Sequence, residues 1–274
     1  MRQGMNPNRK AVLNRPTPPE LPIVAVVTHL PDNDGYHRER FDIVLESIRQ
    51  ARELAGCDHW LTVWDNGSCG EMRAGFWSLG KDVNIIFSKN IGISNAMRRL
   101  LWMYSDSIVA LANDDIFYEQ DWLVKQTEIL KTYPNVGTVS GITTRYYMGK
   151  AVMSTEAWAK QNGVPVTGLD IPPIWDEQHG LSIGKARHEH LQAFGTQRAP
   201  LLEHNGVKAI IGGNHAQFVC YASRIAPLIP HSKRLMERLF PFDMMVDAVG
   251  LLRLLTPERT ARHIGNVLTE SERT

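Results

Sequence analysis

The sequence of 274 residues contains few cysteines and has no excess of charge of either sign. Its three cysteines are odd in number, and none stands at CxxC spacing from another, which argues against both a disulfide framework and a thiolate zinc site. Thirty Lys and Arg residues against 29 Asp and Glu residues give a formal charge of +1, so the bulk field does not favour a nucleic acid or an anionic membrane as the main partner. We therefore expect a protein of a reducing compartment, the cytoplasm.

The sequence also lacks a long apolar run. Every apolar stretch is interrupted before the roughly 18 residues that a membrane helix needs, so we predict no transmembrane segment. Residues 1–22 are polar and dotted with prolines, without the apolar core of a signal peptide, and are predicted to form a disordered leader. The content of 43% hydrophobic and 22% charged residues is typical of a packed chain, and we expect a single domain over residues 23–270.

Short apolar runs alternate with amphipathic segments through about residue 140. The runs predict strands at 23–27, 60–64, 84–87, 108–112 and 136–139. Between several of them, apolar residues recur at the spacing of an α-helix. This alternation predicts an α/β fold with a doubly wound, mostly parallel sheet that binds its ligand at the carboxyl ends of the strands.

The second half of the chain is less regular. The pattern lapses over residues 142–208, which predicts irregular structure or an insertion. A strand is then predicted at 216–221 and a helical pattern at 243–255. Within the lapse, His188 and His190 form an HxH pair with no clear third ligand nearby, so we interpret them as loop or surface histidines rather than as zinc ligands.

Polar side chains follow each of the first four predicted strands. Because the carboxyl ends of parallel strands meet at one edge of a sheet, we expect these side chains to border one crevice. The four groups are Thr28-His29, Asp65-Asn66-Gly67-Ser68, Ser88-Lys89-Asn90 and Asn113-Asp114-Asp115.

The adjacent carboxylates of Asp114 and Asp115 are the strongest of these signals. Two carboxylates at the end of a buried strand are costly unless a hard cation or a hydrogen-bond network compensates them, and Mg²⁺ or Mn²⁺ would do so. The alternative is a helix N-cap, in which the Asp side chains accept from free amides before Trp122. The spacing alone leaves both interpretations open.

Three glycine-containing segments also have both a structural and a functional interpretation. Asp65-Asn66-Gly67-Ser68 is a strong turn signal, but its carboxylate or amide can equally recognise a flat heterocycle at a strand end. Gly92 opens a helix after Asn90, where backbone amides can approach a nucleotide or its phosphates. Gly212-Gly213-Asn214 is either a turn or a place where a substrate lies close against the backbone.

Taken in order, these segments resemble the family 2 glycosyltransferases, which are inverting enzymes with the GT-A nucleotide-diphospho-sugar transferase fold. IVAVVTHL resembles the first strand and loop of that family, VWDNGS its V-x-D-N-G-S element, and SKNIGISNAMRR its N-x-G-x-x-x-A-x-N segment. ALANDDIFYEQDWL resembles the family's metal motif, with Asn113 in place of the first carboxylate of the Asp-x-Asp form.

The resemblance implies a set of roles for these residues. It assigns nucleotide-base recognition to Thr28 and Asp65, next to His29 and Asn66, and the divalent metal to Asp115. It divides the domain into a nucleotide-binding half, 23–141, and an acceptor and catalytic half, 142–270. Residues assigned to the nucleotide, the sugar or the support of the metal are Asn90, Gly92, Asn95, Asn113 and Asp114.

The likeness is weaker after residue 140. GGNHAQFVCYAS, which contains Gly212 and Gly213, is similar to the strand that borders the donor sugar and acceptor, and RHIGN resembles a late H-x-G element in which His263 meets metal or diphosphate. The sequence departs from the family at the E-D-x-D helix that supplies the catalytic base. Asp243 or Asp247 is implied there instead, and we favour Asp243 because it follows a proline at the entry to the predicted helix.

The function implied is a metal-dependent transfer of a sugar from a nucleotide-diphosphate sugar, of the UDP or GDP type, to an acceptor hydroxyl with inversion. Mn²⁺ or Mg²⁺ is the cofactor expected, with no separate organic group. A glycan, a lipid-linked sugar, a protein or a modified nucleobase remains open as the acceptor. Two alternatives are a nucleotidyltransferase of the same fold, for which we find no early Gly-rich triphosphate loop, and a catalytically silent nucleotide-sugar-binding module.

Overall fold

The structure is a computed structural model that describes residues 21–185, 198–231 and 240–266. The predicted leader lies outside these residues except for its last two, and so do His188 and His190. The strands are β1 Ile23–Thr28, β2 Trp60–Asn66, β3 Val83–Ser88, β4 Ile108–Asn113, β5 Ile116–Tyr118, β6 Val136–Ser140, β7 Thr167–Leu169, β8 Ala199–His204, β9 Val207–Ile211, β10 Gln217–Tyr221, β11 Leu252–Leu255 and β12 Ala261–His263.

Eight α-helices and four short 3-10 turns connect the strands among the described residues. The helices are α1 Arg40–Glu53, α2 Gly70–Gly75, α3 Ile93–Met103, α4 Trp122–Thr132, α5 Met153–Gln161, α6 Pro173–Ser182, α7 Ala222–Ile225 and α8 Phe240–Ala248, and the 3-10 turns are Gly35–His37, Phe76–Leu79, Arg145–Tyr147 and Ala226–Leu228. Among the described residues, no helix has the length and apolar character that crossing a membrane requires.

The main sheet has ten strands in the order β3-β2-β1-β4-β10-β6-β11-β9-β8-β7. The first four pair in parallel, as the alternating pattern predicts. Strand β10 then runs antiparallel between β4 and β6, β11 is parallel to β6, and β9, β8 and β7 follow antiparallel to their neighbours. Seven of these ten described strands point in one direction, so the α/β class with a mostly parallel sheet is confirmed.

Strand β1 is buried on both faces because helices cover the sheet on both sides. Alternate side chains of a strand point to opposite faces, so Val24 and Val26 pack in the same cluster as Val44 and Ile48 of α1. Ile23, Ala25 and Val27 instead pack in the cluster that contains Met97, Leu100 and Leu101 of α3. This arrangement explains why the strand is apolar throughout rather than alternating.

The register of the parallel strands brings their polar ends together. Thr28 lies opposite Asp65, which lies opposite Phe87, and Val27 lies opposite Asn113. The turn after β2 also comes close to the loop after β3, since a Cβ on Gly67 would stand 2.6 Å from the Asn90 amide nitrogen. The polar groups that follow these strands therefore share one edge of the sheet.

Irregular structure over residues 142–208 and a helix over 243–255 were the wrong expectations for the second half, and an insertion at 142–208 stays a prediction. Residues 142–208 are not irregular throughout, because α5, β7, α6 and β8 lie within them. The apolar pattern of β7 is weak in the sequence, because β7 is a three-residue edge strand whose residues are exposed or only half-buried. The helix expected at 243–255 ends at Ala248, and 252–255 is the buried strand β11, which is fully covered between β6 and β9. Gly250, with φ +81°, separates the two elements.

Candidate active site at the carboxyl edge of the sheet

A cavity of about 1150 Å³ opens at the carboxyl edge of β1, β2 and β4. The beginning of α1, the end of α6 and the residues that follow β12 complete its wall. The predicted site residues that line it are Thr28, His29, Asn66, Asn90, Asn113, Asp114, Asp115 and His263. The other predicted residues, Asp65, Gly92, Asn95, Gly212, Gly213, Asp243 and Asp247, lie outside this lining.

Asp114 and Asp115 lie in the turn between β4 and β5. Helix α4 begins only at Trp122, after an Asp121 that makes no side-chain cap, so the helix N-cap interpretation of the acidic pair was wrong. The Asp114 carboxylate accepts from the His29 amide at 3.1 Å and is paired with the guanidinium of Arg40. Both acidic residues are at least nine-tenths buried.

Asp115 has two cationic neighbours on one carboxylate oxygen. Its Oδ2 lies 3.3 Å from Nε2 of His263 and 3.3 Å from Nη1 of Arg40. Burial alone would raise the pKa of Asp115, but the charge and hydrogen bond of His263, followed by those of Arg40, hold it well below its usual range. The other oxygen, Oδ1, is buried and makes no hydrogen bond in the described structure.

His263 reaches Asp115 because β12 pairs with β5 in a separate two-stranded sheet. His263 lies opposite Ile116, and the Ile264 amide donates to the Asp115 carbonyl at 2.9 Å. Its other ring nitrogen, Nδ1, lies 2.9 Å from the Ser182 hydroxyl at the end of α6. Burial lowers the pKa of His263, but the negative Asp115 outweighs it, so the net shift is upward.

Arg40 is a member of the site that the sequence did not indicate. It is the first residue of α1, and its guanidinium donates to both acidic residues and, at 2.8 Å, to Oδ1 of Asn266. The charge of Asp114, against the opposing effect of burial, raises the pKa of Arg40. A single Arg after a polar loop has no motif around it, so only the packing of α1 against β5 identifies it.

The donor set at the edge of β4 is suitable for a divalent cation shared with a ligand. The unpartnered Oδ1 atoms of Asp115 and Asn113 are hard oxygen donors that are already buried and therefore costly to leave unsatisfied. Within the described ranges no group of three His, Cys, Asp or Glu side chains forms a complete cage. Mg²⁺ commonly takes only one or two carboxylates from the protein and the remaining ligands from substrate phosphates and water, so this incomplete set fits such an ion.

Asp65 is fully buried and held by its own turn. Its Oδ1 accepts from the Ser68 amide at 2.9 Å, and its Oδ2 accepts from Nε of Arg73 at 2.8 Å. The neighbouring Asn66 side chain accepts from the Ile91 amide at 2.9 Å and so fixes the loop that carries Asn90. The turn interpretation of this segment therefore describes its contacts, and base recognition by Asp65 stays a prediction.

Gly92 and Asn95 shape the beginning of α3. Gly92 has φ +84°, and its amide donates to Oδ1 of Asn90 at 2.9 Å. Asn95 donates to the Ile91 carbonyl at 2.7 Å, and its Oδ1 lies 2.8 Å from Nδ1 of His231. Their predicted contacts with a nucleotide or a sugar likewise stay predictions.

The two candidate bases on α8 differ in their surroundings. Asp247 accepts from the amide and the hydroxyl of Ser154 at 2.8 and 2.7 Å, and thus ties α8 to the first turn of α5. Asp243 is 3% exposed and has one oxygen 2.6 Å from Nη2 of Arg253 and the other 2.6 Å from Nδ1 of His215. Both oxygens of Asp243 are thus occupied, whereas the two contacts of Asp247 with Ser154 use Oδ1 alone.

The two glycines before His215 are required by close packing. A Cβ on Gly213 would stand 2.8 Å from the Arg253 guanidinium, and one on Gly212 would stand 2.8 Å from the Leu255 side chain. The side chains of β11 therefore pack directly against both glycines. The expected contact of Gly212 and Gly213 with a substrate stays a prediction.

Two solved structures are similar to this chain in backbone. "Crystal structure of GalNAc-T7 with UDP, GalNAc and Mn2+" is matched over 90% of this chain and 43% of that one, at 11% identity and a TM-score of 0.47. "Crystal structure of S. aureus TarS" is matched over 44% of this chain and 21% of that one, at 11% identity and a TM-score of 0.31. The chain thus spans less than half the length of either protein.

No protein-family model and no curated protein matches the sequence. At 11% identity, and with both TM-scores below 0.5, the two likenesses concern the backbone only. The chemistry of the site therefore has to follow from the residues of this chain.

Proposed function

We propose that this protein is a cytoplasmic, metal-dependent glycosyltransferase that moves a sugar from a nucleotide-diphosphate sugar to an acceptor hydroxyl with inversion. The observation that carries the proposal is the Asp114-Asp115 turn, which presents an unpartnered, buried carboxylate oxygen at the edge of a large cavity. The sequence resemblance to family 2 glycosyltransferases supports the same reading. A glycan, a lipid-linked sugar, a protein or a modified nucleobase is the acceptor class proposed.

Asp115, with Asp114 and Asn113 beside it, would hold Mn²⁺ or Mg²⁺. When bound, such an ion neutralises the charge that develops on a departing diphosphate. The chain's own cations add to this effect, because Arg40, Arg262 and His263 also line the cavity. Arg40 compensates the charge of both carboxylates.

The cavity also has room and polar contacts for the nucleoside. Its volume of about 1150 Å³ is slightly above the range of about 300–1,000 Å³ that is usual for small-molecule sites, which leaves room for a nucleotide sugar. Oγ1 of Thr28 is buried at the cavity wall and makes no hydrogen bond among the described residues, so it can meet a polar atom of a base or a ribose. We propose a donor of the UDP or GDP type.

A thermal-shift panel of UDP, GDP, CDP and dTDP, each with Mg²⁺ or with EDTA, tests donor binding. A ligand present at 100 times its Kd stabilises the fold by about 2.7 kcal/mol, which corresponds to a shift in Tm of about 5–10 °C for a domain of this size. We expect such a shift for at least one nucleotide, and only with Mg²⁺. No shift with any of the four would contradict the proposal.

Asp65→Ala is expected to flatten the preference among these nucleotides, because a carboxylate at a strand end contributes to the choice of base more than to turnover. The same panel on the variant measures this. Arg73→Ala is the matched comparison, since it removes the Asp65 partner and leaves the carboxylate in place. If Asp65→Ala keeps the wild-type ranking, the segment after β2 is only a turn.

A further inference from the structure

We propose that His215 is the general base that takes the proton from the acceptor hydroxyl, and that Asp243 positions it. The inference rests on the proposed function and assigns its proton transfer. From the sequence, Asp243 was itself the favoured base. The geometry around α8, β10 and β11 points instead to the histidine that Asp243 holds.

The hydrogen bond to Asp243 fixes the tautomer of His215. Nδ1 of His215 lies 2.6 Å from Oδ2 of Asp243. An ionised carboxylate only accepts, so Nδ1 is the donor, and in the neutral ring the lone pair is on Nε2. The His215 side chain is 26% exposed, which leaves the ring accessible. General-base catalysis requires a ring nitrogen with a free lone pair on an imidazole of fixed orientation. The carboxylate of Asp243 fixes the ring, and Nε2 carries the lone pair.

Arg253 holds Asp243 in place. Its guanidinium donates to Oδ1 of Asp243 at 2.6 Å and to the Gly213 carbonyl at 2.8 Å, and its side chain is 1% exposed. Asp243 would have to leave both Arg253 and His215 before it could approach a hydroxyl group. Asp243 therefore suits an orienting role better than a direct one.

His215 is also close in the sheet to the acidic pair. Strand β10 runs antiparallel to β4, and the Asn113 amide donates to the Ala216 carbonyl at 2.9 Å, so His215 lies next to the end of β4 that carries the acidic pair. A row of rings links the two places, with centroids 6.4 Å apart for His215 and Tyr147, 5.2 Å for Tyr147 and His179, and 6.1 Å for His179 and His263. His215 itself is not part of the cavity lining, so we place the acceptor hydroxyl beside the cavity, on the β10 side of the acidic pair.

The proposed step balances in atoms and charge. The acceptor hydroxyl gives its proton to Nε2 of His215 while its oxygen forms a bond to the anomeric carbon of the donor. The bond from that carbon to the diphosphate oxygen breaks, and the nucleoside diphosphate leaves with the electron pair. The imidazolium that forms lies between Asp243 and solvent, and it returns its proton to water.

The test compares His215→Ala with wild type in turnover, in Kd for the nucleoside diphosphate, and in the pH profile of kcat/KM. We expect His215→Ala to lower kcat by about 10²- to 10⁴-fold with Kd unchanged, and to abolish the acid limb of the wild-type profile. Added imidazole should restore part of the rate, which no structural role would produce. His59→Gln is the matched control, because His59 is a half-buried histidine whose Nδ1 lies 2.9 Å from the Cys57 carbonyl oxygen and which is not part of the site.

Few other groups near His215 could produce the acid limb of the pH profile of kcat/KM. They are Asp243 on α8, Arg253 on β11 and Tyr147 in the 3-10 turn, and burial raises the pKa of Tyr147, which keeps it neutral across the assay range. Asp243→Asn should lower kcat and leave Kd unchanged, as its positioning role requires.

Two results separate the failure of this inference from that of the proposed function. If wild type releases nucleoside diphosphate and His215→Ala releases it at the same rate without imidazole, His215 is not the base. The proposed transferase function is then unaffected. A pure rate defect in Asp247→Asn, absent from His215→Ala, would also overturn the assignment. If wild type releases no nucleoside diphosphate from any donor, the proposed function fails and this inference fails with it.

Discussion

Replacing Asp115 with alanine is expected to weaken Mg²⁺-dependent binding of the nucleoside diphosphate by more than about 100-fold, since loss of even an outer-shell partner of a metal ligand costs about 10- to 100-fold. The substitution removes the carboxylate whose Oδ1 is free of protein partners. The diphosphate charge is then left against a cavity that has lost its main site for a hard cation. Titration calorimetry with Mg²⁺ and with EDTA measures the effect.

Asp106→Ala is the control for the Asp115 variant, because Asp106 is an exposed carboxylate outside the main cavity. Circular dichroism establishes that both variants are folded. Equal affinity with Mg²⁺ and with EDTA, in wild type and in folded Asp115→Ala alike, would mean that the acidic pair only anchors Arg40 and His263. The metal would then have no part in binding.

Replacing Asp176 with asparagine is expected to lower the free energy of unfolding by about 3–5 kcal/mol, the usual cost of removing one partner from a buried ion pair. Asp176 is 1% exposed and paired with the guanidinium of Arg145, which is 8% exposed, and it also accepts from the Arg145 amide at 2.8 Å. The substitution removes the charge that compensates a buried guanidinium. Urea denaturation measures the change.

Asp170→Asn provides the matched surface control. Asp170 is paired with Arg198 at 3.0 Å, but their side chains are 82% and 58% exposed, so the same chemistry should contribute only about 0–1 kcal/mol. Equal losses in the two variants would show that burial does not govern the Arg145–Asp176 pair. The outcome matters for the site because Asp176 lies on α6, whose Ser182 holds Nδ1 of His263.

The sequence was most informative for the short apolar strands of the first half, most of which are buried along nearly their whole length. Five apolar runs predicted strands, and all five are found, with their ends within two residues of the predicted positions. The polar groups after β1, β2 and β4 could be placed at one edge because parallel strands leave no other arrangement. Asp114 and Asp115 therefore line the cavity at this edge of the sheet.

Strand patterns could not identify three residues of the site, because their roles depend on contacts between distant parts of the chain. These residues are Arg40, Ser182 and His215. Arg40 meets Asp114 across 74 residues, and Ser182 meets His263 across 81. His215 lies 28 residues before Asp243. No local pattern contains such pairs, although the glycines before His215 indicated a place where the backbone is closely approached.

The elements beyond residue 140 were harder to predict for a different reason. Strand β11 is fully buried and consists of three leucines and Arg253, and a run of four residues is too short for a periodicity that separates a strand from a turn of buried helix. Gly250 was the signal that could have ended the helix earlier. Short edge elements such as β7 have little buried surface and so leave almost no pattern.

The most direct test of sugar transfer follows the phosphorus atoms of the donor by ³¹P NMR. Wild-type protein is incubated with Mg²⁺, the nucleotide sugar whose nucleotide gives the largest thermal shift and a mixture of the proposed acceptor classes, with Asp115→Ala in parallel. Cleavage of the bond between the sugar and the diphosphate should give growing resonances of the free nucleoside diphosphate with wild type and no growth above background with the variant. Appearance of a sugar phosphate with nucleoside monophosphate, or an unchanged donor spectrum with wild type, would contradict the transferase function.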